Sequence, residues 1–229
     1  MKLFGLIQAR MGSSRLPGKV MLPLAGLPLI WHIAHRLVQV RPVTGIVLAT
    51  TADSRNDPMV SYAQMQGWVV VRHSEEDDIV GRIALAFEAT GADAVLKVNA
   101  DCPMPDVGLM QAVVDAYLTK PGCDYAANKF EPIWPAGLTV EVVSRQLIGL
   151  CDATLTSAEE RELVMKWIID HRDQFMTAAV TAPYVPSMPG LMIDTPEEYR
   201  EMSAVFDSLY PVSPLFGWQD VRSLLKSDA

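Results

Sequence analysis

Two periodicities take turns along the first half of the chain. Short runs dense in apolar residues, "KLFGLIQA", "GIVLATT", "WVVVR" and "DAVLKVNA", have the length and continuous hydrophobicity of strands buried on both faces. Between them, "PLIWHIAHRLVQV", "DPMVSYAQMQG", "DDIVGRIALAFEATG" and "DVGLMQAVVDAYLTK" carry apolar residues at helical spacing. The punctuation agrees: acidic residues open the third of these helices, glycine ends it, and Asp106 is placed to cap the fourth. Strands alternating with helices make βαβ units. The fold class is therefore α/β, a mostly parallel Rossmann-like sheet with helices on both faces.

Near residue 122 the rhythm changes. "CDYAANKF" and "LTVEVV" read as strands flanking the Pro-rich "EPIWPAG", with no helix between them, which predicts a small antiparallel excursion at about residues 123–145. A short helix at 145–153, a long one at 157–173 and a strand at "FMTAAVTA" follow. A short strand, "LMID", then feeds the helix "TPEEYREMSAVFDSL", which Thr195 or Asp194 can cap and whose first turn holds Pro196, and "WQDVRSLLKS" closes the chain. A chain of 229 residues with no internal repeat suits one domain, 1–229.

Composition narrows the classes. A net charge of −8 and a pI near 5.0 argue against broad nucleic-acid binding. No apolar run is long enough for a bilayer span, so no membrane partner is expected, and Met1-Lys2 leads into a strand with no signal-peptide pattern, an expectation of a cytoplasmic protein. Cys102, Cys123 and Cys151 are far apart and lack metal-ligand spacing, so they read as free thiols. His32 and His35, i and i+3 on one helix, have no third ligand in the pattern to make a metal site.

Against that acidity, "LIQARMGSSRLPGK", residues 6–19, concentrates Arg10, Arg15 and Lys19 in one loop. A loop after the first strand lies at the carboxyl ends of a parallel sheet, where open α/β sheets bind ligands. The loop is no Walker A sequence, because five residues separate Gly12 from Gly18 and Val20 follows Lys19; a G-x-G-x-x-G and the protein-kinase elements are also absent. Gly12 and Gly18 can let the backbone approach closely or take positive φ, and Ser13 and Ser14 add hydroxyls. Successive N–H groups can form an anion nest, and the three cations can neutralise phosphates. A solvated surface turn is the competing reading; three cations interleaved with glycine and serine favour an anion cradle.

The longer stretch "QARMGSSRLPGKVMLPLAGLPLI" closely resembles the R-x-G-S-x-R-x-P-G-K signature of sugar nucleotidyltransferases of the cytidylyltransferase type. These include the 3-deoxy-manno-octulosonate and acylneuraminate enzymes and, in particular, the spore coat polysaccharide biosynthesis protein F family. The resemblance continues at "ATT", "DDIVGR", "ADCPMPD", "GLTVEVV" and "IDTPEEY", over roughly residues 3 to 205. It implies a GT-A-like nucleotidyltransferase fold, CTP as donor, Mg²⁺ or another divalent cation, and a small anionic sugar-like acceptor. The implied reaction forms a CMP-activated sugar or sugar acid for surface polysaccharide and releases pyrophosphate. A homodimer is also implied, with the 123–145 region serving acceptor and dimer contacts. Residue by residue, nucleotide contacts fall on Gln8, Ala9, Arg10, Gly12, Ser13, Ser14, Arg15, Gly18, Lys19, Arg82 and Asn99, and acceptor contacts on Gly137, Glu141 and Arg161. The catalytic set is Arg10, Arg15, Lys19 and Asp101.

Nucleotidyl transfer calls for a cation to screen the triphosphate, and magnesium takes hard oxygens, usually one or two carboxylates plus phosphate and water. Asp101 follows the fourth strand at the same sheet edge as the loop, and Pro103 and Pro105 keep a helix from starting there. Asp194 ends "LMID" and has two open readings, helix cap or metal ligand; the resemblance assigns it the metal through the D-T-P-E motif, which pairs it with Asp101. Glu75, Glu76, Asp77 and Asp78 read as charges stabilising a helix N-terminus, Asp106 as a cap, and Lys97 lies within a strand.

The acceptor half departs from the pattern. Ala136 and Thr139 stand where P-D-G-L-D-V-E has aspartates, "RELVM" replaces R-E-H-V-T with Glu162 or Leu163 in the histidine place, and Leu27 replaces a lysine; Glu141 is kept. Two alternatives follow. One is an enzyme using another nucleotide or a non-sugar acceptor such as a phosphonate or phospho-alcohol. The other is a catalytically degenerate nucleotide-binding protein.

Overall fold

The apolar runs become strands because their side chains are buried alternately on two faces. In β1 (Leu3–Gln8), Leu3 and Ile7 face one core and Leu6 the other, as the period of two requires. The structure, a computed structural model, describes residues 1–130, 134–182 and 188–227. After β1 come the two-residue strands β2 (Pro23–Leu24) and β3 (Leu27–Pro28), which pair antiparallel, then α1 (Leu29–Leu37), β4 (Val43–Thr51) and α2 (Asp57–Met65). Next are β5 (Val69–His73), α3 (Ile79–Thr90), β6 (Ala94–Asn99), α4 (Val107–Thr119), β7 (Tyr125–Ala127), β8 (Glu141–Ser144) and α5 (Arg145–Thr154). The chain continues through α6 (Ala158–Glu162), α7 (Val164–Asp170), β9 (Thr177–Ala179), α8 (Pro196–Leu209) and α9 (Trp218–Ser227).

A seven-stranded sheet runs β5-β4-β1-β6-β8-β7-β9. The pairings β4–β5, β1–β4, β1–β6 and β7–β9 are parallel, and β8 runs against both of its neighbours. The expected antiparallel excursion is present: β8 pairs antiparallel with β7 and with β6, and it lies between them in the main sheet. Residues 131–133 of the Pro-rich connection lie outside the described residues. Residues of α1, α2, α4, α8 and α9 pack on one face of the sheet, and α3, α5 and α7 on the other. Among the described residues no helix is long and apolar enough to cross a membrane.

Two expectations change. "LMID" is not a strand: Leu191 N donates to Ala136 O at 2.8 Å and Ile193 N to Asp101 O at 2.8 Å, so this extended segment bridges two loops instead of joining a ladder. The long helix at 157–173 is broken at Leu163 (φ −96°, ψ 27°) into α6 and α7, with a 3₁₀ turn at Arg172–Gln174.

Caps settle several open assignments. Asp106 caps α4, accepting from Leu109 N at 2.9 Å, and Gly91 ends α3 in the left-handed region. Asp78, not the whole acidic run, caps α3 by accepting from Gly81 N at 2.8 Å. Thr195 caps α8 in a reciprocal box with Glu198, which leaves the Asp194 carboxylate for other partners. The three cysteines are free and buried, and His32 is a core residue bonded to Leu24 O at 2.8 Å.

Candidate active site

Backbone geometry shapes the loop after β1. Ala9 N extends the ladder by one bond, to Ala49 O at 3.2 Å. The buried Asn56 then accepts from Met11 N at 2.8 Å, and Met11 O accepts from Ser13 N at 3.0 Å and Gly18 N at 2.9 Å, which draws both ends of the loop together. Gly18, with φ 73°, turns the chain into a 3₁₀ turn at Lys19–Met21, a conformation L side chains rarely adopt. That turn sends Lys19 inward: its side chain is nearly buried and Nζ donates to Ile193 O and to Asp194 Oδ1, both at 2.6 Å. Arg15 Nη2 reaches Asp194 Oδ2 at 2.7 Å. Arg10 pairs with Glu76 at the surface, and the buried Arg82 donates to Glu76 O while its Nε has no partner among the described residues. Burial, with Arg10 close by, lowers the Arg82 pKa.

These residues line one cavity of about 500 Å³ along the carboxyl ends of β1 and β6. Gln8, Ala9, Arg10, Ser13, Ser14, Arg15 and Lys19 form one wall; Arg82, Asn99, Asp101, Glu141 and Asp194 complete the sequence-predicted set within it. Four expected contacts are placed elsewhere. Gly12 and Gly18 are not in the cavity wall; Gly18 acts through its turn, and a Cβ on Gly12 would first meet the Arg55 guanidinium, at ordinary contact distance. Gly137 (φ 90°) presses against the backbone of residues 191–192, where a Cβ would come within 2.5 Å of Leu191 C. Arg161 is outside the cavity wall and is engaged elsewhere: it binds Asp78 through two bonds of 3.0 and 2.8 Å, Asp152 at 2.7 Å and the Leu155 carbonyl.

Glu162 and Leu163, the altered histidine place, also line the cavity at the α6–α7 break; Glu76, Asp77, Ile79, Lys97, Lys129, Met165 and Lys166 line it as well and were not in the expected set. Lys97 was legible, since it sits two positions before Asn99 and strand periodicity puts both on one face. No local signal marks Lys129, Met165 or Lys166, which reach the cavity only through tertiary packing.

The cavity floor holds a charged network. Glu141 on β8 stands opposite Lys97 on β6, whose Nζ donates to Glu141 Oε2 at 3.0 Å and to Asn99 Oδ1 at 2.9 Å. Tyr125 OH donates to Glu141 Oε1 at 2.7 Å, and Lys129 Nζ is 3.8 Å from the same oxygen. Burial alone would raise the Glu141 pKa; Lys97, then Lys129 and the Tyr125 hydroxyl, outweigh it and hold the carboxyl below its usual range. At Asp194 burial is likewise outweighed, chiefly by Lys19 and then Arg15.

The implied divalent cation can be weighed against these residues. Asp101 and Asp194 both line the cavity, and the bond from Ile193 N to Asp101 O ties their chain segments together. Two carboxylates are the hard-oxygen set that magnesium accepts when phosphate and water complete its shell. Among the described residues no three His, Cys, Asp or Glu side chains gather into a metal-holding group. The site thus suits a cation brought with a phosphate ligand better than a resident structural metal.

A glycine- and serine-bearing loop with three cations after the first strand, carboxylates paired with those cations at one cavity, and a doubly covered α/β sheet are the features of a nucleotidyltransferase. A family model described as cytidylyltransferase matches residues 4–144, and the chain belongs to that family. It is 31% identical over 210 residues to the spore coat polysaccharide biosynthesis protein SpsF of Bacillus subtilis, covering 88% of this chain and 85% of that one. A cytidylyltransferase structure from Leptospira borgpetersenii superposes with a TM-score of 0.91 at 27% identity, over 100% of this chain and 95% of that one. A CMP:2-keto-3-deoxy-manno-octonic acid synthetase complexed with CTP shares the fold, with a TM-score of 0.70 at 18% identity over 90% and 99% of the two chains.

Proposed function

We propose that the protein transfers CMP from CTP to an anionic sugar or sugar-acid acceptor, with release of pyrophosphate, in surface polysaccharide biosynthesis. The observation that carries this reading is the convergence of Arg10, Arg15 and Lys19 with Asp101 and Asp194 on one cavity, in a chain of the cytidylyltransferase family. Lys19, Arg15 and the loop N–H groups hold the β- and γ-phosphates, and Arg82 with Asn99 lines the nucleotide's place. An acceptor oxygen attacks the α-phosphorus; its O–P bond forms as the bond to the β-phosphate oxygen breaks, and pyrophosphate leaves with that electron pair. The proton of an attacking hydroxyl passes to water. Asp101 and Asp194 would hold Mg²⁺, whose charge, when bound, screens the triphosphate and the leaving group. Positioning and electrostatics supply the catalysis, so the reaction needs no covalent nucleophile.

The test is a thermal-shift panel of CTP, UTP, ATP and GTP with Mg²⁺, followed by pyrophosphate release with a panel of sugar acids. CTP should raise the melting temperature most, because a ligand bound only by the native state stabilises it. A larger shift with another nucleotide, or no pyrophosphate with any acceptor, overturns the reading. EDTA should abolish turnover and Mg²⁺ restore it. A non-sugar acceptor such as a phosphonate or phospho-alcohol is the second reading, favoured by the apolar Leu163 and Met165 in the cavity wall and by Ala136 and Thr139 in place of aspartates near Glu141 in sequence. The homodimer belongs to the same proposal and is checked by light scattering.

A further inference from the structure

Lys97 and Lys129 have no part in holding the triphosphate loop, yet both line the cavity. Lys97 is on β6, the strand next to β1, and Lys129 follows β7, two strands further across the sheet. An ammonium has three donors. Lys97 gives one to Asn99 and one to Glu141, and the third has no acceptor among the described residues, although the residue is only 5% exposed. Lys129 Nζ makes no hydrogen bond among the described residues and is an ion-pair distance, 3.8 Å, from Glu141. Its backbone is nonetheless fixed by its neighbour: buried Asn128 donates to Leu138 O at 2.7 Å and accepts from Val140 N at 2.8 Å. Two ammonium groups thus share one carboxylate, which leaves a net positive charge facing the cavity. A buried cation with an unused donor lowers its free energy by meeting an anion.

We infer that Lys97 and Lys129 form an oxyanion subsite that binds the acceptor's own negative group, with Glu141 and Tyr125 as positioning residues. This rests on the nucleotidyl-transfer reading. Glu141 fixes Lys97 through the opposed register of β6 and β8, and Tyr125 holds the second carboxylate oxygen so that it does not neutralise Lys129 outright. The shared chemistry is a small oxyanion, a carboxylate or a phosphonate. Leu163 and Met165 on the α6–α7 wall set an apolar surface in the same cavity, while Lys166 there is already paired with Asp170, and Glu162 offers an acceptor for hydroxyls.

The experiment is calorimetric titration of the protein saturated with CTP and Mg²⁺, so that the loop is occupied, with pyruvate in one arm and methylphosphonate in the other. Whichever anion binds more tightly identifies the acceptor's group. Lys129→Met should weaken that binding about tenfold or more and Lys129→Arg should keep most of it, with CTP affinity unchanged in both. Lys97→Met is made together with Glu141→Gln, so that no buried charge is stranded, and should lose the anion as well. Failure of CTP to bind the unaltered protein sinks the nucleotidyl reading. With CTP bound, equal anion affinity in the unaltered and Lys129→Met proteins, or no anion binding at all, sinks the subsite alone.

Discussion

Asp194 holds each of its two oxygens against a different cation of the loop, Lys19 and Arg15. A triphosphate entering the cavity competes with that carboxylate for the same two side chains. Asp194→Asn should therefore bind CTP about three- to tenfold more tightly in EDTA, while its Mg²⁺-dependent turnover falls by more than tenfold. Calorimetry and a pyrophosphate assay separate the two effects, and weaker metal-free binding would remove Lys19 and Arg15 from the triphosphate's ligands. Lys19→Ala should lose at least about tenfold in CTP affinity. Glu141 poses a different question at the same scale. Its pKa is depressed in the folded protein, so the stability it contributes is present above the ordinary glutamate value, near ~4.3, and is lost as pH falls through the folded value. In urea unfolding, the unaltered protein and Glu141→Gln should differ most near neutrality and converge in acid. Stranding Lys97 without its carboxylate should cost about 3–5 kcal/mol at pH 7, and the paired change at Lys97 should recover much of that.

Elements position these residues, and single backbone features position the elements. Thr195→Ala removes one half of the α8 capping box and should cost about 1 kcal/mol, a fall of roughly 2–4 °C in melting temperature. It should also weaken CTP binding, because Asp194 is the preceding residue. Asp106→Ala, the cap of α4 that also accepts from Trp218 N at 3.1 Å, should cost at least as much stability and leave CTP affinity alone. Equal effects on CTP would break the link between the α8 cap and the site. Much at this scale was legible beforehand. The strands before residue 100, the helices between them and the caps at Asp106 and Gly91 follow from periodicity and local chemistry. The split at Leu163 was not legible, because "AEERELVMKWIID" is good helical sequence throughout and the break comes from packing Val164, Met165 and Ile168 on the sheet. "LMID" misled for a related reason: an apolar run bounded by turn residues reads as a strand, but its hydrogen bonds go to separate loops.

Across the whole molecule, the donor and acceptor sides of the cavity differ in how openly the sequence showed them. The cations of the loop lie within one short motif, so residue type and spacing revealed them. The proposed acceptor side is assembled from β6, β7, β8 and the α6–α7 wall, separated in the chain by tens of residues, and of its lining the sequence marked Glu141 and the Glu162–Leu163 position in advance. The family match ends at Ser144, the last residue of β8, so α6, α7 and Asp194 all come from beyond it. The same architecture bears on folding. β1 is the centre of the parallel half of the sheet, yet Leu3 pairs with Ala94. At ribosomal rates of about 5–20 residues per second, this apolar strand waits on the order of ten seconds for its second neighbour to be made. Its closing contacts are non-local, which slows folding and leaves a sticky edge open meanwhile. The strand from which the cationic loop springs thus waits longer for its second partner than any other strand of the sheet described.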